Sequence, residues 1–491
     1  VCTHVALHNQ SVLVDDVYAE SRFDLSGTRH FDLESGYRTV SMLAVPMAPR
    51  GGEVIGVLQF INATDRITGK VVAFSREDAS FVEALAAQAA VALENHHLMA
   101  AQNDLIDAMV RILAGAIDAK SAHTGGHCER VPQLAMMLAE EACRVDSGPL
   151  AAFEFASADE WREFRIGAWL HDCGKITTPE HIVEKATKLE VIHNRIHEVR
   201  LRFEILRRDA EIARLQARLD GADAATADAA FAASVRELED DFAFVAACNI
   251  GGETMADAAV ERLRAIAGHT WLRHFDDRLG LSNEELARVE LLPAQPLPAR
   301  EMLLADKPHH LIPRPAGPGL DAAYGFRMNV PAHLYNQGEL YNLCVARGTL
   351  TAEDRYKINE HIMQTIVMLE QLPLPKNLRR VPEYAGTHHE TLRGSGYPRG
   401  LSRDQLSVPA RIMAIADIFE ALTACDRPYK KAKTLSESIA ILAQLKENDH
   451  IDPDLFDLFL STGLYRRYGE RYLKPEQMDE IDIAAYIGKR A

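Results

Sequence analysis

The chain has 491 residues, 47% of them hydrophobic and 25% charged, with a formal net charge of −17. That length and balance describe a multidomain globular protein with room for two or three cores. So negative a chain argues against a binder of nucleic acid polymers or anionic membranes, which repel it, and admits a small anionic ligand only where local cations reverse the field.

Seven cysteines are scattered without a CxxC pair, which indicates neither a disulfide framework nor a zinc knuckle; free thiols fit a reducing cytoplasm. No apolar run reaches the ~18–20 residues of a membrane span, and no signal peptide opens the chain. The first residue is Val1, so the sequence reads as starting inside a domain, and a membrane anchor ahead of it stays open.

In chain order, Val12 to Val17 alternates as a strand does, Ser41 to Pro46 is a second apolar run, and Val54 to Asn62 a third, entered through the turn Arg50-Gly51-Gly52. A helix follows from Arg76. The stretches SMLAVPM, GGEVIGVLQFIN and FSREDASFVEALAAQAAVALEN resemble the second half of a GAF domain, whose usual first strands and helix are not recognisable here. Residues 1–95 are therefore expected to be an α/β GAF-like sensor fragment, and the resemblance implies a small-molecule ligand of unknown identity. From Glu77 to about Lys120 apolar residues recur at helical spacing, among them Phe81, Leu85, Val91, Leu98, Leu105, Met109 and Ile112. Such a helix packs on its own domain or, the favoured reading for residues 96–120, forms the stalk of a homodimer. Helical patterns dominate residues 105–200 and 350–491. Between them, Leu201 to Leu219 is rich in helix formers with opposite charges at i,i+4 spacing, residues 220–235 are Ala/Asp-rich and read as another helix, and 291–320 are Pro-rich and read as loop.

Histidines and aspartates recur on the separate helical segments. His127 follows His123 by four residues in HTGGHCERV, a spacing that places both on one helical face; His171 and Asp172 adjoin in WLHDCGK; His361 lies in INEHIMQTI; His388 and His389 adjoin in AGTHHETLRGSGYP; Asp417 lies in MAIADIFEAL. Neutral imidazoles with carboxylates suit Fe, Mn, Co or Ni better than Mg. An aspartate beside a histidine can bridge two metals, and metals roughly 3.5–4 Å apart can clamp a phosphodiester. Any one of these residues taken singly is an ordinary helical histidine; the set carries the signal.

WLHDCGKITTPE resembles the signature of the HD superfamily of phosphohydrolases, and HHETLRGSGYPRGL with ARIMAIADIFEALTACDRPYKKA resembles the defining stretch of its HD-GYP subfamily. The resemblance implies an all-α bundle holding two or three divalent metal ions, Fe or Mn, that hydrolyses cyclic di-GMP to pGpG or GMP. A close relative such as cyclic GMP-AMP as substrate, or a non-catalytic cyclic di-GMP receptor, are the alternatives. It assigns metal ligation to His127, His171, Asp172, His361, His388, His389 and Asp417, with Asp172 as bridge. His123 stands where some members place a third-metal carboxylate. Lys175 matches a lysine at the scissile phosphate and joins Asp172 as a catalytic candidate. Gly396, Tyr397 and Pro398 form the namesake loop, which shapes the nucleotide site or positions His388 and His389, or both. Arg427 and Lys430 match basic residues that meet the ligand. Cys128 and Cys173, beside ligands, are expected to be packing residues.

The resemblance covers two blocks, and the turn that should lead into the next ligand occurs twice, at Lys185–Leu189 and at Arg347–Glu353. His193 and His197 follow the first copy too closely; His361 follows the second at the family's distance. The HD-GYP domain is thus expected at 121–200 and 348–475, with 201–347 a helical insertion that covers the site, restricts substrates or binds a partner.

Overall fold

A computed structural model describes residues 1–49, 52–120, 126–252, 254–315, 321–424 and 432–488. The chain divides into two compact units, Val1–Met109 and Val110–Ala491.

The first unit opens with α1 (Cys2–His8), β1 (Val12–Val14) and α2 (Ser26–Ser35), continues with β2 (Met42–Met47), β3 (Gly56–Ile61) and the short pair β4 (Ala63–Thr64) and β5 (Val71–Val72), and enters α3 (Arg76–Lys120). The three-stranded sheet is antiparallel in the order β1-β2-β3, with Val12 opposite Ala44 and Val45 opposite Leu58. The central strand β2 reads as an unbroken apolar run because both its faces are covered. Met42 and Ala44 meet Val5, Val12, Val14 and Leu25 on one side, whereas Leu43, Val45 and Met47 meet Ala79, Val82, Ala86 and Ala90 of α3 on the other. Further along α3 the apolar residues Leu98, Leu105 and Ile112 are exposed.

In the second unit α4 (His127–Ala142) and α5 (Ala158–Leu170) lead to a 3-10 turn (Cys173–Thr177) and α6 (Glu180–Val183). The bundle resumes at α13 (Ala352–Glu370), α14 (Val381–Gly386), α15 (Val408–Thr423), α16 (Leu435–Glu447), α17 (Pro453–Ser461) and α18 (Leu464–Tyr472). Ser157, Thr351, Ser407 and Thr434 cap α5, α13, α15 and α16 through their hydroxyls, each start legible as Ser or Thr ahead of an apolar period. The main core joins Leu134 and Leu138 of α4, Phe164 of α5, Ile412 and Phe419 of α15, and Phe456 and Phe459 of α17.

Between the two blocks lie α7 (Ile196–Leu219), α8 (Ala224–Ile250), α9 (Asp257–Ala267), β6 (Thr270–Arg273), α10 (Asn283–Val289), β7 (Ala299–Met302), β8 (Leu311–Pro313), α11 (Asp321–Tyr324), β9 (His333–Asn336) and α12 (Glu339–Leu343). The two long helices pack as a hairpin with a core of their own, including Val199, Phe203, Val245, Leu263 and Leu303. The Pro-rich stretch differs from its loop reading: β7 pairs with β6 and β8 with β9, both antiparallel. Pro298 precedes β7 and Pro313 is the last residue of β8, at a register irregularity, so neither interrupts a strand interior.

The two ends of this segment meet. Thr349 Oγ1 donates to the Lys185 carbonyl at 2.9 Å, and Lys185 Nζ reaches Asp354 Oδ2 at 2.7 Å. The buried Lys188 ammonium donates to the carbonyls of Leu343 (2.8 Å) and Val345 (2.7 Å). The repeated turn pattern is thereby explained: the chain leaves and re-enters the bundle at one place.

Candidate metal centre

Each histidine sits where local structure aims it. His171 ends α5, its Nδ1 2.8 Å from the Ala168 carbonyl; His361, on α13, has Nδ1 2.6 Å from the Ile358 carbonyl; His388, after α14, has Nδ1 2.9 Å from the Ala385 carbonyl. A carbonyl can only accept, so Nδ1 is a donor and Nε2 is the nitrogen whose lone pair a cation would take. Among the described residues the Nε2 atoms of His361 and His388 are buried without a hydrogen-bond partner. Left so, each costs desolvation free energy that a cation would recover.

These lone pairs converge on two carboxylates. His127 Nε2 lies 3.2 Å from Asp172 Oδ2, 3.4 Å from Asp417 Oδ1 and 3.3 Å from His171 Nε2. His171 Nε2 is 3.3 Å from Asp172 Oδ2, and His361 Nε2 is 3.3 Å from Asp172 Oδ1 on its other side. Two triads each offer donor atoms within 4.8 Å of one another: His127, His171 and Asp172, and His361, His388 and His389. Asp172, reached from both sides, lies between the groups, and Lys175 Nζ contacts its Oδ2.

Electrostatics follow from that crowding. Burial alone would lower the His127 and His171 pKa values, but the carboxylates override it: His127, beside Asp172, Asp417 and Glu420, is raised well above its usual value, and His171 to about 9. Burial would raise Asp172 and Asp417; Lys175 and the imidazoles beside them hold both well below the carboxylate range. His388 and His389 have fewer anions against them, so burial prevails, lowering His388 to about 4 and His389 well below its usual value. Protons and Lys175 therefore do the neutralising that a bound cation would do, and the donor set of imidazoles around two carboxylates fits divalent transition metals.

Two glycines make the convergence possible. A Cβ on Gly174 would stand 1.9 Å from the His361 carbonyl oxygen, so only glycine lets the turn after Asp172 press against α13, where Gly174 N–H donates to Thr365 Oγ1 at 2.9 Å. A Cβ on Gly396 would meet Glu390 Cα at 2.5 Å and the His389 carbonyl at 2.6 Å. Tyr397 stacks on the His389 ring, centroids 4.8 Å apart at 21°. The loop through Pro398 is held from inside by Glu390, which accepts from the backbone of Arg399 (2.7 Å) and Leu401 (2.9 Å). Thus Gly396, Tyr397 and Pro398 lie beside His389, where they can serve both roles open at the sequence level.

The structure brings His127, His171, Asp172, His361, His388, His389, Asp417 and Lys175 together. His193 and His197 point elsewhere, His193 to Glu198 at 3.0 Å and His197 to Arg200 at 2.7 Å. His123, Arg427 and Lys430 lie outside the described residues. Cys128 and Cys173 are buried thiols whose pKa values burial raises, Cys173 to about 11, as packing residues behave. Among the described residues no helix is long and apolar enough to cross a membrane.

Three residues escaped the sequence reading. Glu420, one turn after Asp417, accepts from His127 Nδ1 and from Arg130 Nε at 2.7 Å, fixing the His127 ring as outer carboxylates do in metal sites. Its i,i+3 spacing from Asp417 was the available signal. Asp118, in the last turn of α3, accepts from the backbone N–H of Gly126 (3.1 Å) and Cys128 (3.3 Å), bracketing His127. Lys120 donates to the carbonyls of Lys175 and Ile176.

Comparison with known proteins gives two matching families: a GAF domain over residues 1–93 and an HD domain over residues 298–455. The HD match spans His361, His388, His389 and Asp417; His127, His171 and Asp172 precede it. Among curated relatives, a 3'3'-cGAMP-specific phosphodiesterase of Vibrio cholerae is 40% identical over 111 residues, 22% of this chain and 23% of that protein. A cyclic di-GMP phosphodiesterase of Pseudomonas aeruginosa is 43% identical over 79 residues, 16% and 18% of the two chains. A cyclic di-GMP phosphodiesterase of Thermotoga maritima is 30% identical over 157 residues, 30% and 42%. The chain thus spans less than half the length of each of these relatives.

Proposed function

We propose that this chain, which matches a GAF domain and an HD domain, is a phosphodiesterase of the HD-GYP kind that hydrolyses cyclic di-GMP to pGpG or GMP. In this reading His127, His171, Asp172, His361, His388, His389 and Asp417 would hold two divalent metal ions, Fe or Mn, with Asp172 the candidate bridge. His123 is a candidate ligand of a third. When bound, such ions activate water and offset charge on a phosphodiester. The observation that carries the reading is the set of Nε2 lone pairs, fixed by backbone carbonyls on the opposite nitrogen and aimed at Asp172 from both sides.

The protein's own groups have definable tasks. Backbone carbonyls and Glu420 fix imidazole orientation before any ligand arrives, so little reorganisation remains. Lys175 keeps part of its side chain in solvent while contacting Asp172, which lets its ammonium face a phosphoryl oxygen. Tyr397, Gly396 and Pro398 border the site at His389, and Arg427 and Lys430 are assigned to the phosphates or guanine. Cyclic GMP-AMP is the second reading, favoured by the relative of that specificity.

Regulation enters through α3. Val91, Leu98, Leu105 and Ile112 recur every seven residues and are exposed, the spacing that two parallel copies bury against each other. A homodimer through this stalk, with a small molecule on the GAF domain biasing it, would reach His127 through Asp118 and Lys175 through Lys120.

The test is turnover of cyclic di-GMP by protein loaded anaerobically with Fe(II) or Mn(II), beside Asp172→Ala. Product from the parent and none from the variant is expected. A parent that takes up metal but turns over neither cyclic di-GMP nor cyclic GMP-AMP would leave a receptor, and a parent without metal would remove the site assignment.

A further inference from the structure

The segment that interrupts the bundle also builds against its namesake loop. Phe326 and Met328 pack with Ile362 and Ile366 of α13 and with Tyr397, and Arg327 N–H donates to the Pro398 carbonyl at 2.7 Å. Beyond this seam α9, α12 and the first turns of α13 line an open cavity of about 930 Å³ that has Tyr397 in its wall. That volume lies in the range of sites for nucleotide-sized ligands.

Its lining is cationic in a chain of net charge −17. Arg264, Arg347 and Arg355 face one carboxylate, Asp306, whose oxygens already accept from the Tyr341 N–H at 3.1 and 3.2 Å. Arg264 is held by Glu261 at 2.6 Å. The guanidinium groups of Arg347 and Arg355 have no hydrogen-bond or ion-pair partner among the described residues. Nearby arginines are engaged: Arg202 with Glu339, Arg399 with Glu370, Arg314 over the Tyr356 ring. Two unpaired guanidinium groups lining one cavity suit a phosphate, which they can bind through paired N–H donors. The same cavity offers the side-chain amides of Asn329 and Asn359, neither engaged with another side chain among the described residues, beside apolar wall from Leu340 and Leu350. Amides match the edge of a base and apolar wall its face.

We infer that this cavity binds a nucleoside phosphate, with the phosphate on Arg347 and Arg355 and the base toward Asn359 and Leu350. The site is built by the insertion and the outer face of α13, apart from the metal donors. It rests on the phosphodiesterase reading only for the choice of a guanine nucleotide as probe. The nucleoside phosphate has two sources: the half of a cyclic dinucleotide that lies away from the scissile bond, or a separate nucleotide.

The experiment is calorimetric titration of GMP into the metal-loaded full chain and into the Arg347→Gln/Arg355→Gln variant, with turnover of bis(p-nitrophenyl) phosphate and of cyclic di-GMP measured on both. GMP binding weakened at least about 10-fold in the variant, or loss of one of two sites, is expected, with metal content, melting temperature and turnover of the small diester unchanged. Competitive inhibition of cyclic di-GMP turnover by GMP that disappears in the variant assigns the cavity to the substrate's second half. A change in kcat on adding GMP, without competition and lost in the variant, assigns it to a separate nucleotide. Absent GMP binding, or equal binding in parent and variant, overturns the inference. A parent that hydrolyses neither ester refutes the phosphodiesterase reading, and the titration still decides this one.

Discussion

The metal centre and the segment that interrupts it reach order by different routes. The centre is assembled from five short stretches, around residues 127, 171, 361, 388 and 417, each contributing one or two donors to a polar cluster that is stable only if every partner arrives. The interrupting segment folds around its own apolar core between α7, α8 and α9 and touches the bundle where its ends meet, at the seam with Tyr397 and through β9, whose Tyr335 meets His181 of α6. A buried polar cluster is left with unsatisfied groups when one partner shifts, whereas an apolar core tolerates exchange of side chains as long as volume and patterning are kept. The closure through Thr349, Lys185 and Asp354 holds the exit and return of the segment together.

The comparison can be broken most severely at Gly174. Gly174→Ala places a methyl group against the His361 carbonyl, so the turn carrying Asp172 must move. We expect about 1–3 kcal/mol of lost stability in denaturant unfolding, together with loss of bound metal by elemental analysis. Retained metal would show that the centre relaxes as readily as the insertion. Glu420→Gln keeps the volume and removes the charge beside His127. Metal affinity should fall about 10–100-fold with the melting temperature little changed; an unchanged affinity would reduce Glu420 to a packing residue.

Lys188→Met acts on the other region. It leaves the Leu343 and Val345 carbonyls without their buried donor, which should cost about 1–3 kcal/mol in thermal unfolding while metal content stays at the parent level. Metal loss in this variant would mean that the two regions are not energetically separate.

The mildest effect is on pH. In the cation-free chain burial opposes protonation of His171, yet Asp172 and Asp417 raise its pKa from 6.5 to about 9. That proton stabilises the fold fully below pH 6.5 and stops doing so as pH climbs through about 9. A metal must displace it, so metal affinity rises over the same interval. Melting curves should show the cation-free chain losing stability from pH 6.5 to 9 and the metal-loaded chain holding it; parallel curves would contradict the assignment of His171 as a donor.

What was readable beforehand depended on the range of the interaction. The α3 helix and the apolar strand β2 rest on contacts within a few residues, and they stand close to where periodicity puts them. His361 was preferred over His193 and His197 because the motif spacing restarts at Arg347, a local signal. The partnership of His127 with Glu420 spans 293 positions, and nothing in either neighbourhood announces it. The hairpins β6–β7 and β8–β9 were masked by prolines that discourage strands in general but are harmless at strand ends.

The sequence by itself supplied the candidate donors, their helical settings and the metal chemistry they would suit, because residue type and local propensity carry those. Only the tertiary structure decided that imidazoles reach Asp172 from both sides, that Asp118 and Lys120 tie the last turn of α3 to His127 and Lys175, and that an arginine-lined cavity lies against Tyr397. Those features come from packing between elements far apart in the chain, where a few ångströms separate a hydrogen bond from none.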